Sequence, residues 1–416
     1  MTTVAVPARR VFPGWIVVGA TFILLLVSSG LGFYGLAIYL RALVDERGFS
    51  TTSVSLATSL FFITGGVAGR FLARFIARHD PRPIVVGGAL VAGVGMLGLG
   101  RVHALWQLYP VYVVLAVGWA ATGLVPATTL VTRWFHRRRS LALSISSTGL
   151  SVGGLTLTKL AASRIDRHGL AATTPLIALV WVVVVIAIAW FLWPTPASRG
   201  VAPDGDAVSS LTIAAAGQGA SYEQARHSRF FIAFTLGYVA IMAAQVGGIA
   251  QLAKLGQERA DKPAGALAVS VLALASVCAR LLAGVIAPKL PLGTFTAALC
   301  AAQGVALIGL AHAHGKPALL AWTVLFGATV GNLLMLQPLI IAETFGVREY
   351  ARLYSVNQLV VSIGVAAGPF LTGWLRDQSG YELSYWVAGV LSFTGAVALV
   401  AAGGVVHTQK ALGVTA

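Results

Sequence analysis

Ser270-Val-Leu-Ala-Leu-Ala-Ser-Val-Cys-Ala-Arg-Leu-Leu-Ala-Gly284 carries one arginine, Arg280, through an otherwise apolar run. A guanidinium keeps its charge at any physiological pH, and an arginine at the centre of a membrane-spanning helix costs roughly 2.5–3.5 kcal/mol on insertion scales. Such a residue must face a polar space and hold a partner. The sequence offers no obvious one, because all thirteen Asp and Glu residues fall in predicted loops or at helix ends. The counter-charge is therefore expected to arrive with a visiting organic anion.

The composition agrees with a chain that lives in a bilayer. Hydrophobic residues make up 57% of the 416 and charged residues only 10%, where a soluble domain carries about 25% charged residues. A net charge of +16 raises the possibility of nucleic-acid binding. The basic residues, however, sit in short clusters between apolar runs, as membrane topology requires, and no nucleic-acid partner is expected. Cys278 and Cys300 lie in apolar runs and give neither a disulfide framework nor metal-ligand spacing. Residues 14–40 are too long for a signal-peptide core and read as a first span.

Apolar stretches near the roughly 20 residues needed to cross a bilayer number twelve. They cover about 14–40, 52–74, 84–100, 105–131, 141–161, 170–193, 230–253, 265–287, 292–311, 317–342, 353–375 and 383–406. The one long polar interruption, 194–229, divides them six and six. This predicts an all-α membrane protein with an amino-terminal six-helix bundle (1–193), a cytoplasmic linker (194–229) and a carboxy-terminal six-helix bundle (230–416). A repeat at an offset of 210 residues points the same way. Gly69-Arg-Phe-Leu-Ala-Arg-Phe-Ile-Ala-Arg-His-Asp-Pro81 aligns with Ala279-Arg-Leu-Leu-Ala-Gly-Val-Ile-Ala-Pro-Lys-Leu-Pro291, so that Arg70 meets Arg280 and Pro81 meets Pro291. Two parallel halves with a substrate site between them near the midplane is a transporter plan. With the amino terminus inside, the larger share of Lys and Arg falls on the cytoplasmic side, so both termini and the linker are expected there, in a multi-pass protein of the cell membrane.

These residues resemble the major facilitator superfamily, over essentially the whole chain. The loop containing Arg70, Arg74, Arg78, Asp80 and Arg82 is similar to that superfamily's glycine, acid and arginine loop motif, which the resemblance makes part of a gate. It departs from the pattern in having Ala77 where an acid is usual and Asp80 where a glycine is usual; its arginines also read as simple topology anchors. Within the superfamily the sequence looks like the monocarboxylate porters and the related oxalate/formate exchangers. The segment Trp134-Phe-His-Arg-Arg-Arg-Ser-Leu-Ala-Leu-Ser-Ile-Ser-Ser-Thr-Gly149 resembles their signature opening span five. It places Arg137, Arg138 and Arg139 at the lipid headgroups, ahead of a smooth packing face. Pro13-Gly-Trp15 and Gly368-Pro-Phe-Leu-Thr-Gly-Trp-Leu-Arg-Asp-Gln-Ser-Gly-Tyr381 resemble the same group more weakly.

The resemblance implies that Arg280 is the anion-binding arginine of span eight, able to grip a carboxylate with two parallel charge-assisted bonds. The competing role is an arginine that snorkels or braces a gate, as its counterpart Arg70 suggests. Ser276 stands where many members carry an aspartate, and 360–365 lacks the lysine with which the exchangers hold a dianion. A single negative charge is the expected cargo. Tyr34, Trp119, Gln245, Asn332, Asn357 and Ser362 complete the candidate substrate-binding set. No phosphate-cradling loop and no constellation of nucleophile, base and acid is present, so neither an enzyme nor a bound cofactor or metal is expected.

The resulting expectation is a monomeric secondary transporter of small monocarboxylates such as lactate or pyruvate, coupled to protons and working by alternating access. An organic-anion exchanger, or a facilitator-type exporter of an amphipathic compound, stands as the alternative. A transporter-like sensor ranks last.

Overall fold

The computed structural model describes residues 12–205 and 219–412. The middle of the 194–229 segment and the amino-terminal pair Arg9 and Arg10, which enter the topology argument, lie outside the described residues. Among the described residues, eleven helices are long and apolar enough to cross a membrane. In chain order they are α1 (Gly14–Arg47), α2 (Thr51–Arg78), α3 (Pro81–Gly100), α4 (Leu105–Trp134), α5 (Arg139–His168), α6 (Leu170–Ala189), α7 (Arg229–Arg259), α8 (Lys262–Ile286), α9 (Leu292–Ala311), α10 (Gly315–Phe345), and a last helix over Tyr350–Ala401.

That last helix has 52 residues, or about 78 Å at 1.5 Å per residue, more than twice the hydrocarbon thickness of a bilayer. It is two limbs. Gly380 sits at φ +80°, ψ −178°, a conformation that a Cβ would strain, and the chain reverses there. The Ser384 hydroxyl donates to the carbonyl of Thr372 at 2.7 Å, although twelve residues of straight helix would hold them about 18 Å apart. With α11 as 350–379 and α12 as 381–401, the spans among the described residues number twelve.

Several helices run beyond their apolar core. α5 continues to His168, past the 141–161 expected from hydropathy, because Arg164, Asp166 and Arg167 extend it as a polar end. Two helices are broken where the sequence supplies a reason. α4 is interrupted at Thr122-Gly123, and Gly123 is extended (φ −97°, ψ −150°). Pro126 has no N–H to give the carbonyl of Thr122, so the regular ladder cannot pass through. α1 contains a π-helical turn over Ser28–Phe33, whose backbone is held from outside: Thr158 donates to Gly30 O at 2.8 Å and Tyr39 to Leu31 O at 2.8 Å.

The first six and last six spans repeat one another in detail. α5 presses Gly149 and Gly153 onto the backbone of α1 at Phe22 and Leu26, while α11 presses Gly364 and Gly368 onto α7 at Val239 and Ala243. A Cβ at any of the four would overlap a carbonyl oxygen of the partner helix. Small residues are how helices without a hydrophobic driving force bring their backbones together. Gly153→Val and Gly368→Val are each expected to destabilise the fold by about 3 kcal/mol, since backbone cannot retreat as a side chain can. The readout is the yield and melting temperature of detergent-extracted protein. The helix ends repeat too. Arg47 bonds His103 Nδ1 (3.0 Å) and Gly100 O (3.3 Å), and Arg259 bonds His314 Nδ1 (3.1 Å) and Ala311 O (3.2 Å).

Candidate functional site

The two sets of spans meet mainly through α2 against α11 and α5 against α8. Between them lies a cavity of about 180 Å³. Its aromatic side comes from the first six spans: Phe33 stacks edge-on to Tyr34 (5.0 Å between ring centroids) and to Phe62 (5.6 Å), and Trp119 leans on Phe61 (5.1 Å). The π-helical turn of α1 presents Ser28 and Ser29 to the same space, and the break in α4 brings Gly123 and Leu124 to it. From the last six spans come Gln245 on α7, Gln337 on α10, and Ser355, Gln358 and Ser362 on α11. No Asp, Glu, Lys, Arg or His belongs to the lining.

Of the sequence-predicted residues, Tyr34, Trp119, Gln245 and Ser362 therefore line the cavity. Arg280 does not. It has no exposed surface and lies behind the wall, with Nε donating to Gly331 O of α10 at 2.8 Å, Nη1 to Ser147 O of α5, and Nη2 to Ser276 Oγ at 3.4 Å. Its own carbonyl accepts from Ser144 Oγ of α5 at 2.5 Å. No carboxylate contacts the guanidinium among the described residues. Three of its five N–H groups are spent on neutral acceptors, and those acceptors bind it to both sets of spans.

Three other candidates stand away from the lining. Ser276 is the hydroxyl partner of Arg280, 2% exposed. Asn332 turns its amide nitrogen back to Ala328 O at 2.9 Å on its own helix. Asn357 is fully buried between Gln337 Nε2 (2.6 Å) and Thr235 Oγ1 (3.0 Å). The expectation that Asn332 and Asn357 face the cavity is corrected on this ground: local hydrogen bonding takes both amides into the helix packing. Gln337 and Gln358 were not anticipated, although an amide inside an apolar span is the same signal that drew attention to Gln245.

On the face that carries residues 194–205 and 219–228, further hydrogen bonds tie the two halves together. There Arg139, 4% exposed, pairs with Glu343 of α10 at 2.5 Å and donates Nε to Phe135 O at 3.0 Å. The three arginines do not all reach for headgroups: Arg137 and Arg138 are exposed, but Arg139 is the first residue of α5 and points inward. Arg139 stands at the amino end of α5 and faces the carboxyl end of α10, and Glu343 the reverse, so the helix dipoles favour the pair across the contact and oppose it within each helix. Nearby, Asp204 accepts from the backbone N–H of His136 (2.9 Å), Arg137 (2.7 Å) and Arg138 (3.3 Å). Asp204→Ala is expected to lower the melting temperature, by the loss of about 1–2 kcal/mol of charge-assisted capping.

Arg70, the repeat counterpart of Arg280, has a different setting. Its Nη2 donates to Tyr222 Oη at 3.0 Å, and Arg352 of α11 stacks on the same ring at 4.0 Å. Tyr222, from the segment between α6 and α7, thus stands between two cations from opposite halves. Arg74 is exposed over Phe71, and Arg78 is exposed on the same face. Asp80 caps α3 by accepting from Arg82 N at 2.9 Å, and Arg82 Nε reaches Leu192 O at 3.3 Å. Asp80 and Arg82 thus serve the local turn.

A family model described as Major Facilitator Superfamily matches residues 21–317 and 304–411. The chain belongs to that superfamily. Among curated proteins it is 27% identical over 403 residues to mouse monocarboxylate transporter 11, covering 92% of this chain and 86% of the relative. It is 26% identical over 397 residues to rat monocarboxylate transporter 13, covering 93% and 88%. An MFS-type transporter of the fungus Gibberella moniliformis is 26% identical over 383 residues, covering 90% and 85%. Among solved structures, the human organic anion transporter MFSD10 (TETRAN) superposes with a TM-score of 0.71 at 12% identity, covering 93% of this chain and 99% of that one. FucP in its outward conformation gives 0.70 at 13% identity, covering 94% and 99%. These likenesses establish the fold of a Major Facilitator Superfamily transporter.

Proposed function

We propose that this superfamily member is a secondary transporter of small monocarboxylates, proton-coupled, in which two six-helix bundles (1–193 and 230–416) rock about the cavity. The observation that carries the reading is Arg280: a permanent charge wholly buried between the halves, beside the cavity, held by carbonyls and a hydroxyl and by no acid. The kinship with monocarboxylate transporters 11 and 13 supports the same cargo class. At about 180 Å³ the cavity falls below the 300–1,000 Å³ usual for drug-sized ligands, which favours a small anion over a bulky amphipathic compound.

In this reading the face carrying the linker is cytoplasmic, and the arrangement described is closed on that side and outward-facing. Cargo enters the neutral cavity, and Arg280 exchanges its carbonyl partners for the carboxylate as the halves move. Among the described residues no acid lines the cavity, so in this reading the coupling proton joins the bound carboxylate only for the crossing and leaves with it. Uptake of labelled lactate into proteoliposomes tests this. Acceleration by an inside-alkaline gradient is the expected result. Uptake that requires an internal anion would make the protein an exchanger, and binding without flux would make it a sensor.

A further inference from the structure

We propose that the cavity selects cargo bearing a hydroxyl beside its carboxylate, a 2-hydroxy acid in preference to the matching 2-oxo acid, and that Gln245 reads that hydroxyl. The inference rests on the carboxylate reading above and adds the identity of a second recognition point. Gln245 is 2% exposed and lines the cavity, and neither end of its amide has a hydrogen-bond partner among the described residues. The other buried amides each keep at least one bond and, apart from Gln337, stand away from the cavity, although Gln303 Oε1 and Asn332 Oδ1 are bare as well. Gln303 is tied to Ile241 O and Ser392 Oγ, Gln337 to Asn357, and Asn332 to Ala328 O. Across the cavity, Ser28 on the π-helical turn of α1 is 1% exposed, and its hydroxyl too is without a partner. Buried polar groups in native proteins are nearly always satisfied, and those left bare at a cavity await a ligand or ordered water.

The chemistry of the missing partner follows from what the lining lacks. Gln245 Oε1 needs a donor. An ammonium would supply one, but no carboxylate lines the cavity to meet its charge, and Arg280 stands close behind the wall. The cargo's own carboxyl group is a poor source, since an acid of ordinary pKa is about a thousandfold more often ionised than protonated at neutral pH. A hydroxyl remains, able to donate to Gln245 and accept from Ser28 at once. A 2-oxo oxygen has only lone pairs and leaves Oε1 bare whichever way the amide is turned. Sites built to bond a substrate hydroxyl reject analogues lacking it.

The test is competition among lactate, pyruvate and propionate in proteoliposomes, read as ratios within each protein so that yield cancels. The wild type is expected to favour lactate over pyruvate about tenfold, and Gln245→Leu to bring the lactate-to-pyruvate and lactate-to-propionate ratios close to one. Equal handling of lactate and pyruvate by the wild type overturns the proposal, as does a Gln245→Leu protein that keeps the wild-type ratios. Should that variant fail to fold, thermal protection of the wild type decides: equal protection by lactate and pyruvate overturns it. A wild type that moves none of the three removes the carboxylate reading itself, a result distinct from transport without discrimination.

Discussion

Arg280→Lys is expected to lower carboxylate uptake about 100-fold while leaving insertion and folding intact. The guanidinium reaches α5, α10 and Ser276 from three different nitrogens. A lysine ammonium is a compact point charge that cannot reproduce a planar fork, and it shifts its pKa readily when buried. Losing one of two parallel charge-assisted bonds to a carboxylate, at about 1.5–3 kcal/mol each, accounts for the factor, since a hundredfold corresponds to about 2.7 kcal/mol. A companion variant separates function from stability. Arg280→Met keeps an unbranched, flexible stem and removes a buried cation that no acid among the described residues neutralises. Replacing buried ionic groups by apolar ones is often neutral or stabilising, so its melting temperature should hold or rise while uptake disappears. Normal transport by Arg280→Lys at ordinary expression would reject the bidentate role. A steep loss of melting temperature in Arg280→Met would make Arg280 a structural brace.

How far the sequence led depends on the kind of interaction. Twelve spans were legible because each buries about 20 apolar residues, a signal that survives any detail of packing. Even the hairpin at Gly380, where a single residue leaves helical geometry, was visible as a dip in hydropathy between Leu375 and Leu383. The direction in which a polar side chain turns was not visible. Arg138 and Arg139 are identical neighbours in a run of three, yet one lies in solvent and the other against Glu343, because α5 begins between them, with Arg138 as its non-helical cap, and nothing in the run marks that boundary. The amides show the same limit. Asn357 and Gln245 both read as polar positions in apolar spans, but Asn357 has Gln337 and Thr235 across the helix packing, whereas Gln245 has no such neighbour. Which amide is spent on structure and which is left for a ligand depends on the register between helices distant in sequence. For Arg280 the chain showed only that no acid lies within the apolar spans to meet its charge; that the guanidinium turns behind the cavity wall onto carbonyls of α5 and α10 was not visible.

The Arg139–Glu343 pair is expected to set how long the linker-bearing face stays closed. It joins the first residue of α5 to the end of α10, with one partner almost fully buried and the other about a third exposed. Breaking a fully buried pair costs about 3–5 kcal/mol. Solvent at Glu343 reduces that, so about 1–3 kcal/mol is the reasonable range, or a 5- to 150-fold shift between closed and open arrangements. Arg139→Ala and Glu343→Ala should each make cysteines placed on this face, for example at Leu141 and Ala287, more reactive to a membrane-impermeant thiol reagent in inside-out vesicles. If the pair acts as a unit, the double variant should be no more open than either single one, because the second substitution removes a charge that has already lost its mate. The reversed pair, Arg139→Glu with Glu343→Arg, should close only in part. A carboxylate at 139 cannot donate to Phe135 O as Arg139 Nε does, so one bond on this face stays unmade. Additive opening in the double variant would mean that each residue acts through other contacts, for Arg139 its bond to Phe135 O. The cross-half closure would then fall to the carbonyl cage around Arg280, the same group that lets go of its carbonyls in the proposed transport cycle.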